Sequence, residues 1–542
     1  MFDYIVVGGG SAGCTLAGRL AEDSAVRVLL LEAGPGDKSP FVEIPSGCAA
    51  ILPRRNSRNF GFETTPQPGL GGRRGYQPRG RGLGGSSNLN AMIYIRGVPG
   101  DYDEWEQLGA TGWGWRDVLP YFRKSESHQD YASLTHPQLH GQTGPLAVSP
   151  PRARNPFCDA FIAAGRAAGL KLNSDFNGPE QEGVGWFDVT MKNGERWNAA
   201  RAYLHGNERT NLEVRTGVLV ERICTIGSGA SARATGVLVR NPDGSVVTIS
   251  AQREVLLCGG AFNSPQLLML SGIGPAEELR RIGVAPVVDL PSVGQNLHDH
   301  LDITMARTVP GKAGKALFGY SPSGLFGLIG HYQRYQRERQ GPLTSNFAEA
   351  GAFVRSSPGL DRPDLQLHFV VGMVDDHNRR LRYGHGYSCH ACVLRPKSRG
   401  SVRLQSTDPA AAPLIDPNFL GDPADMAGMV AGFRLVRQIF AQTPLAQFGG
   451  KELWGANVRD DDTAAIETLI RERSDTIYHP VGTCRMGTDA DAVVDPYLRV
   501  RGVDGLRVVD ASVMPRVIGG NTNAPVIMLA ERAADLIRGR LA

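Results

Sequence analysis

Three glycines near the N-terminus have the spacing of a dinucleotide-binding turn. Gly8, Gly10 and Gly13 follow an apolar run and precede a helical stretch. The first glycine permits the tight turn, the second lets a pyrophosphate approach the backbone, and the third lets the helix pack on the strand. Glu32 ends the next apolar run, where a carboxylate can accept hydrogen bonds from an adenosine ribose. These residues predict dinucleotide binding, with NAD and FAD both open.

Other polar segments have ordinary explanations when each is taken alone. The glycine-rich stretch 80–92 offers backbone N–H groups to an anionic or polar group, or is a flexible loop. His479 precedes Pro480, so its backbone is held extended, but a single histidine is more often a satisfied polar group than a base. Asn521 or Asn523 could simply cap the helix that follows.

Two clusters with metal or redox spacing are not expected to act as such. His298-Asp299-His300 supplies too few ligands for a zinc-type site, so no metal is predicted. Cys389 and Cys392 have the spacing of a redox pair but fall in a predicted strand. Packing within a sheet is the expectation for both cysteines.

Composition narrows the class of protein. The 542 residues carry a formal charge of +4 and no long basic run, so no nucleic-acid partner is expected. The eight cysteines are scattered, which favours reduced thiols. The sequence contains no signal-like N-terminus and no apolar stretch of spanning length. These features predict a soluble cytoplasmic protein with at most peripheral contact to the inner membrane, and they leave the oligomeric state open.

The elements that must position these residues follow from hydrophobic periodicity. A strand, a glycine turn, a helix and a second strand fill the first 32 residues. Near the C-terminus, a buried strand is predicted at 506–509 and a helix at 523–538. A second sheet is predicted from 365–371, 387–394 and 401–404. Further strands are predicted at 212–220, 233–239, 246–249 and 255–258.

Taken together, these segments resemble the glucose-methanol-choline family of FAD oxidoreductases. Residues 80–92 match its first signature and residues 260–274 its second, and 293–300, 478–487 and 506–523 also look like family sequence. The resemblance implies an α/β fold with a Rossmann-like FAD-binding domain and a discontinuous second α+β substrate-binding domain, whose antiparallel sheet is covered by helices. The FAD-binding domain is expected at 1–155, 197–300 and 484–542, and the substrate-binding domain at 156–196 and 301–483.

The resemblance also implies FAD in an extended pose. The first glycine turn and Glu32 would hold the ADP half, with the backbone of Val220 at the adenine. Relatives with covalent flavin carry a histidine where an ungapped alignment places Leu89, so non-covalent FAD is expected. The residues expected around the cofactor are Gly8, Gly10, Ser11, Ala12, Gly13, Glu32, Gly84, Ser87, Asn88, Asn90, Ala91, Met92, Val220, Asp510, Ala511, Asn521 and Thr522.

The catalytic pair implied by the resemblance is His479 and Asn523. His479 would take the hydroxyl proton of an alcohol, and Asn523 would hold the alcohol oxygen. The implied reaction is FAD-dependent oxidation of a primary alcohol, aliphatic or aromatic, to the aldehyde, with electrons passed to a quinone or dye. An oxygen-using alcohol oxidase and a hydroxynitrile lyase of the same family remain alternatives.

Two segments bear on the substrate. Choline-oxidising relatives keep a carboxylate in the strand after Asp299-His300, where an ungapped alignment gives 305–308, which has none. Choline is therefore disfavoured. The segment 318–329 is either an apolar lid or part of the substrate-domain core. Its apolar residues are Phe318, Tyr320, Leu325, Phe326, Leu328 and Ile329.

Overall fold

The computed structural model describes residues 1–206 and 209–541, without the side chains of Ser323, Leu325 and Phe326. The α-helices in these residues are α1 (Ser11–Leu20), α2 (Pro40–Glu43), α3 (Cys48–Ile51), α4 (Pro99–Gln107), α5 (Trp115–Ser125), α6 (Pro156–Ala167), α7 (Ala199–Tyr203), α8 (Gly260–Leu270), α9 (Ala276–Arg281), α10 (Pro322–Glu338), α11 (Pro423–Phe440), α12 (Thr443–Ala446), α13 (Thr463–Arg473) and α14 (Asn523–Ile537). The strands are β1 (Phe2–Val7), β2 (Val28–Glu32), β3 (Phe62–Glu63), β4 (Tyr76–Gln77), β5 (Glu126–His128), β6 (Leu146–Val148), β7 (Gly183–Trp186), β8 (Met191–Lys192), β9 (Glu195–Arg196), β10 (Leu212–Thr216), β11 (Leu219–Ile226), β12 (Ala232–Arg240), β13 (Val246–Leu257), β14 (Ile273–Gly274), β15 (Val288–Asp289), β16 (Leu301–Thr308), β17 (Gly319–Tyr320), β18 (Ala350–Val354), β19 (Leu365–Val370), β20 (Gly384–Val393), β21 (Ser401–Arg403), β22 (Leu414–Asp416), β23 (Asp475–Thr476), β24 (Val503–Asp504) and β25 (Leu506–Val508).

The first sheet carries the dinucleotide-binding turn between β1 and α1. β1 lies parallel to β2 on one side and to the end of β13 on the other. β10 extends the parallel part beside β2, and β25 lies parallel beside β13. Every residue of β2 is buried, as parallel strands covered on both faces require. The predicted Rossmann-like order of strand, turn, helix and strand is confirmed.

Three strand predictions in this sheet need correction. The run predicted at 212–220 is divided by Gly217, whose φ of +74° breaks the extended chain between β10 and β11. The strands predicted at 246–249 and 255–258 are one strand, β13. Its first half pairs antiparallel with β12 and its second half parallel with β1. Polar, exposed residues in the middle of β13 hide this continuity in the sequence.

The second sheet is antiparallel, with the order β23-β16-β20-β19-β18-β7. Successive side chains of each strand point to opposite faces of the sheet, and both faces are buried. In β19, Leu365, Leu367 and Phe369 join the core formed with α6 and α11. Gln366 and His368 therefore lie on the opposite face, which is the face toward the cavity described below.

One strand assigned to this sheet lies elsewhere. The run predicted at 401–404 forms β21, which pairs only with β22 in a separate two-stranded sheet. Cys389 and Cys392 lie in β20 and are completely buried, so the expected packing within a sheet is confirmed. The α/β fold class with its second, helix-covered antiparallel sheet is also confirmed.

Two large hydrophobic cores follow the two sheets. The core of the first sheet is built mainly from residues in 2–148, 199–293 and 484–534, and the core of the second from 157–184 and 301–470. Leu70 packs in the core of the second sheet, and Leu404 packs in the core of the first sheet. The domain limits given above stay a prediction. No helix within 1–206 and 209–541 has the length and apolar character needed to cross a bilayer.

Candidate active site

A cavity of 1790 Å³ is lined by residues from both sheets. It runs from the dinucleotide-binding turn to His479. Leu328, Phe318 and Tyr320 of the suggested lid also line it, whereas the side chains of Leu325 and Phe326 fall outside the described part of the chain. The predicted site residues that line the cavity are Gly8, Gly10, Ser11, Ala12, Glu32, Asn90, Ala91, Met92, Val220, His479, Asp510, Ala511, Asn521, Thr522 and Asn523.

Four predicted cofactor residues do not line the cavity but stabilise the turns that do. A Cβ on Gly13 would lie 1.8 Å from the Gly8 carbonyl oxygen, so glycine at this position allows α1 to pack on β1. The Ser87 hydroxyl donates to the Gly84 carbonyl at 2.5 Å, and the Asn88 amide donates to the Leu83 carbonyl at 2.7 Å. Gly13, Gly84, Ser87 and Asn88 thus hold the turns in shape without lining the cavity.

Three long helices begin at the cavity wall, and in none of them does the side chain of the cap residue accept from the first turn. These are α1, α8 and α14, whose cap residues are Gly10, Gly259 and Thr522. In α8 the first N–H, that of Gly260, donates instead to Asp510 Oδ2 at 2.9 Å. The first N–H groups of a helix need acceptors, and the helix dipole favours negative charge at this end. A Cβ on Gly10 would meet no atom within 4 Å, so the space in front of α1 is open. This arrangement suits a diphosphate.

Glu32 braces the nearby turns and also lines the cavity. Its Oε2 accepts from the Gly9 N–H at 2.8 Å, and its Oε1 accepts from the N–H groups of Gly34 and Gly82 at 2.7 and 2.8 Å. A carboxylate has about four lone-pair sites, so capacity remains for a ribose hydroxyl. The ribose contact stays a prediction.

The backbone around His479 is held by three contacts. Tyr478 adopts a left-handed φ of +78°, which is uncommon for a non-glycine residue and costs conformational energy. The Tyr478 N–H donates to Thr476 Oγ1 at 2.7 Å, and its carbonyl accepts from Arg79 at 3.0 Å. The His479 N–H donates to Asp299 Oδ1 at 2.8 Å. The segment around Asp299 is therefore the support on which His479 is fixed.

The ring nitrogens of His479 each face one neighbour. Nδ1 lies 3.0 Å from Nδ1 of His300, and Nε2 lies 3.3 Å from the amide nitrogen of Asn521. The Asn521 amide oxygen accepts from Gln366 at 3.0 Å, which orients its NH2 group toward His479. An NH2 group only donates, so His479 Nε2 must be the acceptor and Nδ1 must carry the proton. His479 thus presents an unprotonated Nε2 at the cavity.

Burial keeps this histidine cluster neutral. It lowers the pKa of His479 well below its ordinary value, and the neighbouring His300 and His368 lower it further. Burial likewise lowers the pKa of His300 and of His368 to about 3. The charged form of an imidazole is disfavoured when it loses its hydration. At neutral pH, all three rings are therefore uncharged, and His479 is able to accept a proton.

Asn523 does not pair with His479 in the described structure. It is the first residue of α14, and its Oδ1 accepts a hydrogen bond from the Ser11 hydroxyl at 2.8 Å. Asn521 lies before the helix, and its amide nitrogen is the one beside His479. Asn523 also lines the cavity, and its catalytic role stays a prediction. The start of α14 separates the two asparagines, because the helix turns Asn523 toward α1. The cap of α14 is Thr522, so neither asparagine is the N-cap.

Comparison with known proteins decides the family. The GMC oxidoreductase N-terminal model matches residues 2–302, and the C-terminal model matches residues 396–530. The chain is 47% identical to alcohol dehydrogenase [acceptor] of Pseudomonas putida, over 99% of this chain and 96% of that enzyme. It is 44% identical to human mitochondrial choline dehydrogenase, over 99% of this chain and 90% of that enzyme.

This chain belongs to the GMC oxidoreductase family. A solved structure supports the assignment: a variant of formate oxidase from Aspergillus oryzae, studied for its effect on FAD modification, superposes with a TM-score of 0.90 at 30% identity, covering 99% of this chain and 98% of that one. The cofactor of this GMC oxidoreductase is FAD, as expected. The uncapped start of α1 and the open face of Gly10 fit its diphosphate.

The substrate side of this GMC oxidoreductase contains a carboxylate that the ungapped alignment missed. Asp302 lies in β16, two positions after His300, and is buried. It forms a hydrogen bond with Nδ1 of His390 in the neighbouring strand β20. His390 lines the cavity and Asp302 does not. The strand after His300 thus has a carboxylate, and this carboxylate already has a partner.

Several residues of the site have no local signal in the sequence. His300 lies within the group His298-Asp299-His300, whose side chains are engaged separately: His298 with Asn296 and Val517, and Asp299 with Thr476 and His479. Gln366 and His368 are polar positions alternating with apolar ones in β19. That alternation is the one signal that places them on the face opposite the core.

Proposed function

We propose that this chain oxidises a primary alcohol to the aldehyde with FAD, using His479 as the base and Asn521 to hold the alcohol oxygen. The observation that carries the proposal is the unprotonated Nε2 of His479, which lies beside the Asn521 amide at the cavity. Identity to the Pseudomonas putida alcohol dehydrogenase over nearly the whole chain supports the same reaction class.

The chain's own residues handle the proton. An alcohol hydroxyl is too weak an acid to ionise alone, so a neutral imidazole within hydrogen-bond reach must take its proton as the C–H bond breaks. His479 Nε2 takes this proton, while the N–H at its Nδ1 keeps donating a hydrogen bond to His300 Nδ1. The Asn521 N–H, held by Gln366, donates to the alcohol oxygen and fixes the C–H bond in place. When bound, FAD supplies the two-electron acceptor for this oxidation.

The cavity wall favours a neutral, apolar alcohol. Ile93, Phe347, Val370 and Met373 line the cavity. The Asp302 carboxylate is covered by His390, so it offers no free negative charge to a cationic substrate. An aliphatic or aromatic primary alcohol fits this wall better than choline does.

We propose that FAD is bound without a covalent bond to the protein. The position aligned with the flavin-linking histidine of other members is Leu89, whose side chain has no nucleophile. It is buried against Val42 and Ile51. These contacts support a structural role for Leu89.

The electron acceptor is proposed to be a quinone or dye. The name of the Pseudomonas putida relative, alcohol dehydrogenase [acceptor], supports transfer of electrons to an external acceptor. The chain is proposed to work in the cytoplasm, since its eight cysteines are all free thiols and seven of them are buried.

Anaerobic mixing of the flavin-replete protein with a panel of primary alcohols tests the reaction class. Alcohol oxidation predicts loss of the oxidised-flavin absorbance with at least one alcohol. Persistence of the reduced state in air until a quinone is added supports the dehydrogenase, and rapid reoxidation by air supports an oxidase. No bleaching together with cyanide release from a hydroxynitrile would contradict oxidation and indicate a lyase.

A further inference from the structure

An exposed apolar patch lies beside the cavity, on β17, on α10 and on the loop before β20. Six large apolar side chains form it, with exposed fractions from 44% to 80%. The backbones of Tyr320 and Tyr383 form a β-bridge, which joins the start of α10 to the loop. The residues of this mouth patch are Tyr320, Leu328, Ile329, Tyr332, Leu381 and Tyr383.

The mouth patch surrounds an opening of the cavity. Tyr320, Leu328, Tyr332 and Tyr383 line the cavity and are exposed at the same time. Leu328 and Tyr332 are one helical turn apart on α10, and therefore lie on one side of it. Exposed apolar side chains grouped at one opening in this way mark an interaction site in a water-soluble fold.

The segment that carries the mouth patch is strongly basic. Residues 311–340 contain five Lys and Arg residues and one acidic residue, Glu338. Lys312, Lys315 and Arg337 are exposed, and none of them forms an ion pair with another described residue. Lys315 also lines the cavity. The surface thus combines apolar side chains with unpaired positive charge.

We propose that the mouth patch docks on an anionic lipid bilayer. A basic amphipathic helix lies in the interface with its apolar side chains among the acyl chains and its cations on anionic headgroups. α10 has this composition, and it has no acidic residue before Glu338. Docking would open the cavity toward the lipid, from which an apolar molecule could enter. The docking does not depend on the proposed reaction.

Sedimentation with vesicles tests the docking directly. The probe is the flavin-replete full chain mixed with vesicles of phosphatidylcholine alone or of phosphatidylcholine and phosphatidylglycerol in equal parts. The patch variant is Ile329→Ser with Leu381→Ser, which are 64% and 62% exposed and do not line the cavity. The matched control is Ile226→Ser with Leu172→Ser, which are 60% and 59% exposed and lie outside the patch.

The expected result is binding to the mixed vesicles at least tenfold tighter than to phosphatidylcholine alone, weakened by salt. The patch variant should bind the mixed vesicles at least tenfold more weakly, and so should Lys312→Glu with Lys315→Glu, while the control binds like the original chain. Flavin content verifies that each variant is folded. Equal loss in patch variant and control would overturn the proposal. A lack of vesicle binding by the original chain would also overturn it. This includes the outcome in which the original chain is a dimer and the patch variant is a monomer, since the patch is then a dimer interface.

Discussion

The amide nitrogen of Asn521 lies 3.3 Å from Nε2 of His479, whereas Asn523, two residues later, bonds to Ser11. This difference predicts unequal effects of two similar substitutions. Asn521→Ala should lower kcat/KM roughly 10- to 100-fold, because a hydrogen bond to an oxygen that gains charge is lost. Asn523→Ala should lower it less than about tenfold, because it loses one ordinary hydrogen bond. Steady-state kinetics on the two flavin-replete variants measures the difference, and a larger loss for Asn523→Ala would contradict it.

The pH dependence of the reaction should extend to unusually acidic conditions. His479 works as a base only when neutral, and burial beside His300 and His368 lowers its pKa. A lowered pKa keeps the neutral form at lower pH, so activity is lost only as the pH falls through the lowered value. The acidic limb of kcat/KM should therefore lie below about pH 6.5, the ordinary value for histidine. A profile of kcat/KM against pH checks this, and a limb above that value would refute the burial argument.

Choline should be a poorer substrate than its neutral isostere 3,3-dimethylbutan-1-ol. The Asp302 carboxylate is paired with His390, so a trimethylammonium group gains no free counter-charge. His390→Ala should uncover Asp302 and raise the ratio of choline to isostere kcat/KM by about tenfold or more. Burial raises the pKa of Asp302 and His390 lowers it, so the trimethylammonium group of choline would replace His390 as the group that keeps the carboxylate charged.

Competition kinetics with both alcohols measures that ratio. The control is His390→Ala combined with Asp302→Asn, which removes the carboxylate as well and should return the ratio to its original value. An unchanged ratio in the single variant would show that Asp302 does not face the bound alcohol.

Acid precipitation should release the flavin. Leu89 offers no atom for a covalent bond to the flavin, so denaturation leaves FAD free. The supernatant should be yellow and the pellet colourless. A yellow pellet, confirmed by a mass increase equal to FAD on the intact chain, would show a covalent link from another residue.

Local patterns in the sequence predict the fold where neighbours in sequence are neighbours in space. The turn at Gly8, Gly10 and Gly13 depends on residues within one strand–helix unit, and its geometry follows from spacing alone. The break at Gly217 and the continuous β13 were missed, because both depend on pairing with β12. Pairing between distant strands has no signal at that scale.

The catalytic cluster shows the same limit. His479 was identified from family resemblance, but its neighbours His300 and Asn521 lie 179 positions before it and 42 positions after it in the chain. Asn521 and Asn523 both line the cavity at the start of one helix, and the sequence does not show which of them lies beside His479. That choice is made by the packing of α14 on α1.

The proposed reaction depends on His479 removing the hydroxyl proton of the alcohol. Anaerobic stopped-flow mixing of alcohol with flavin-replete His479→Ala, compared with the original chain, tests it most directly. Flavin reduction is expected to be slower by roughly 10²- to 10⁴-fold in the variant, with flavin still bound. Reduction at the original rate would contradict the assignment of His479 as the base.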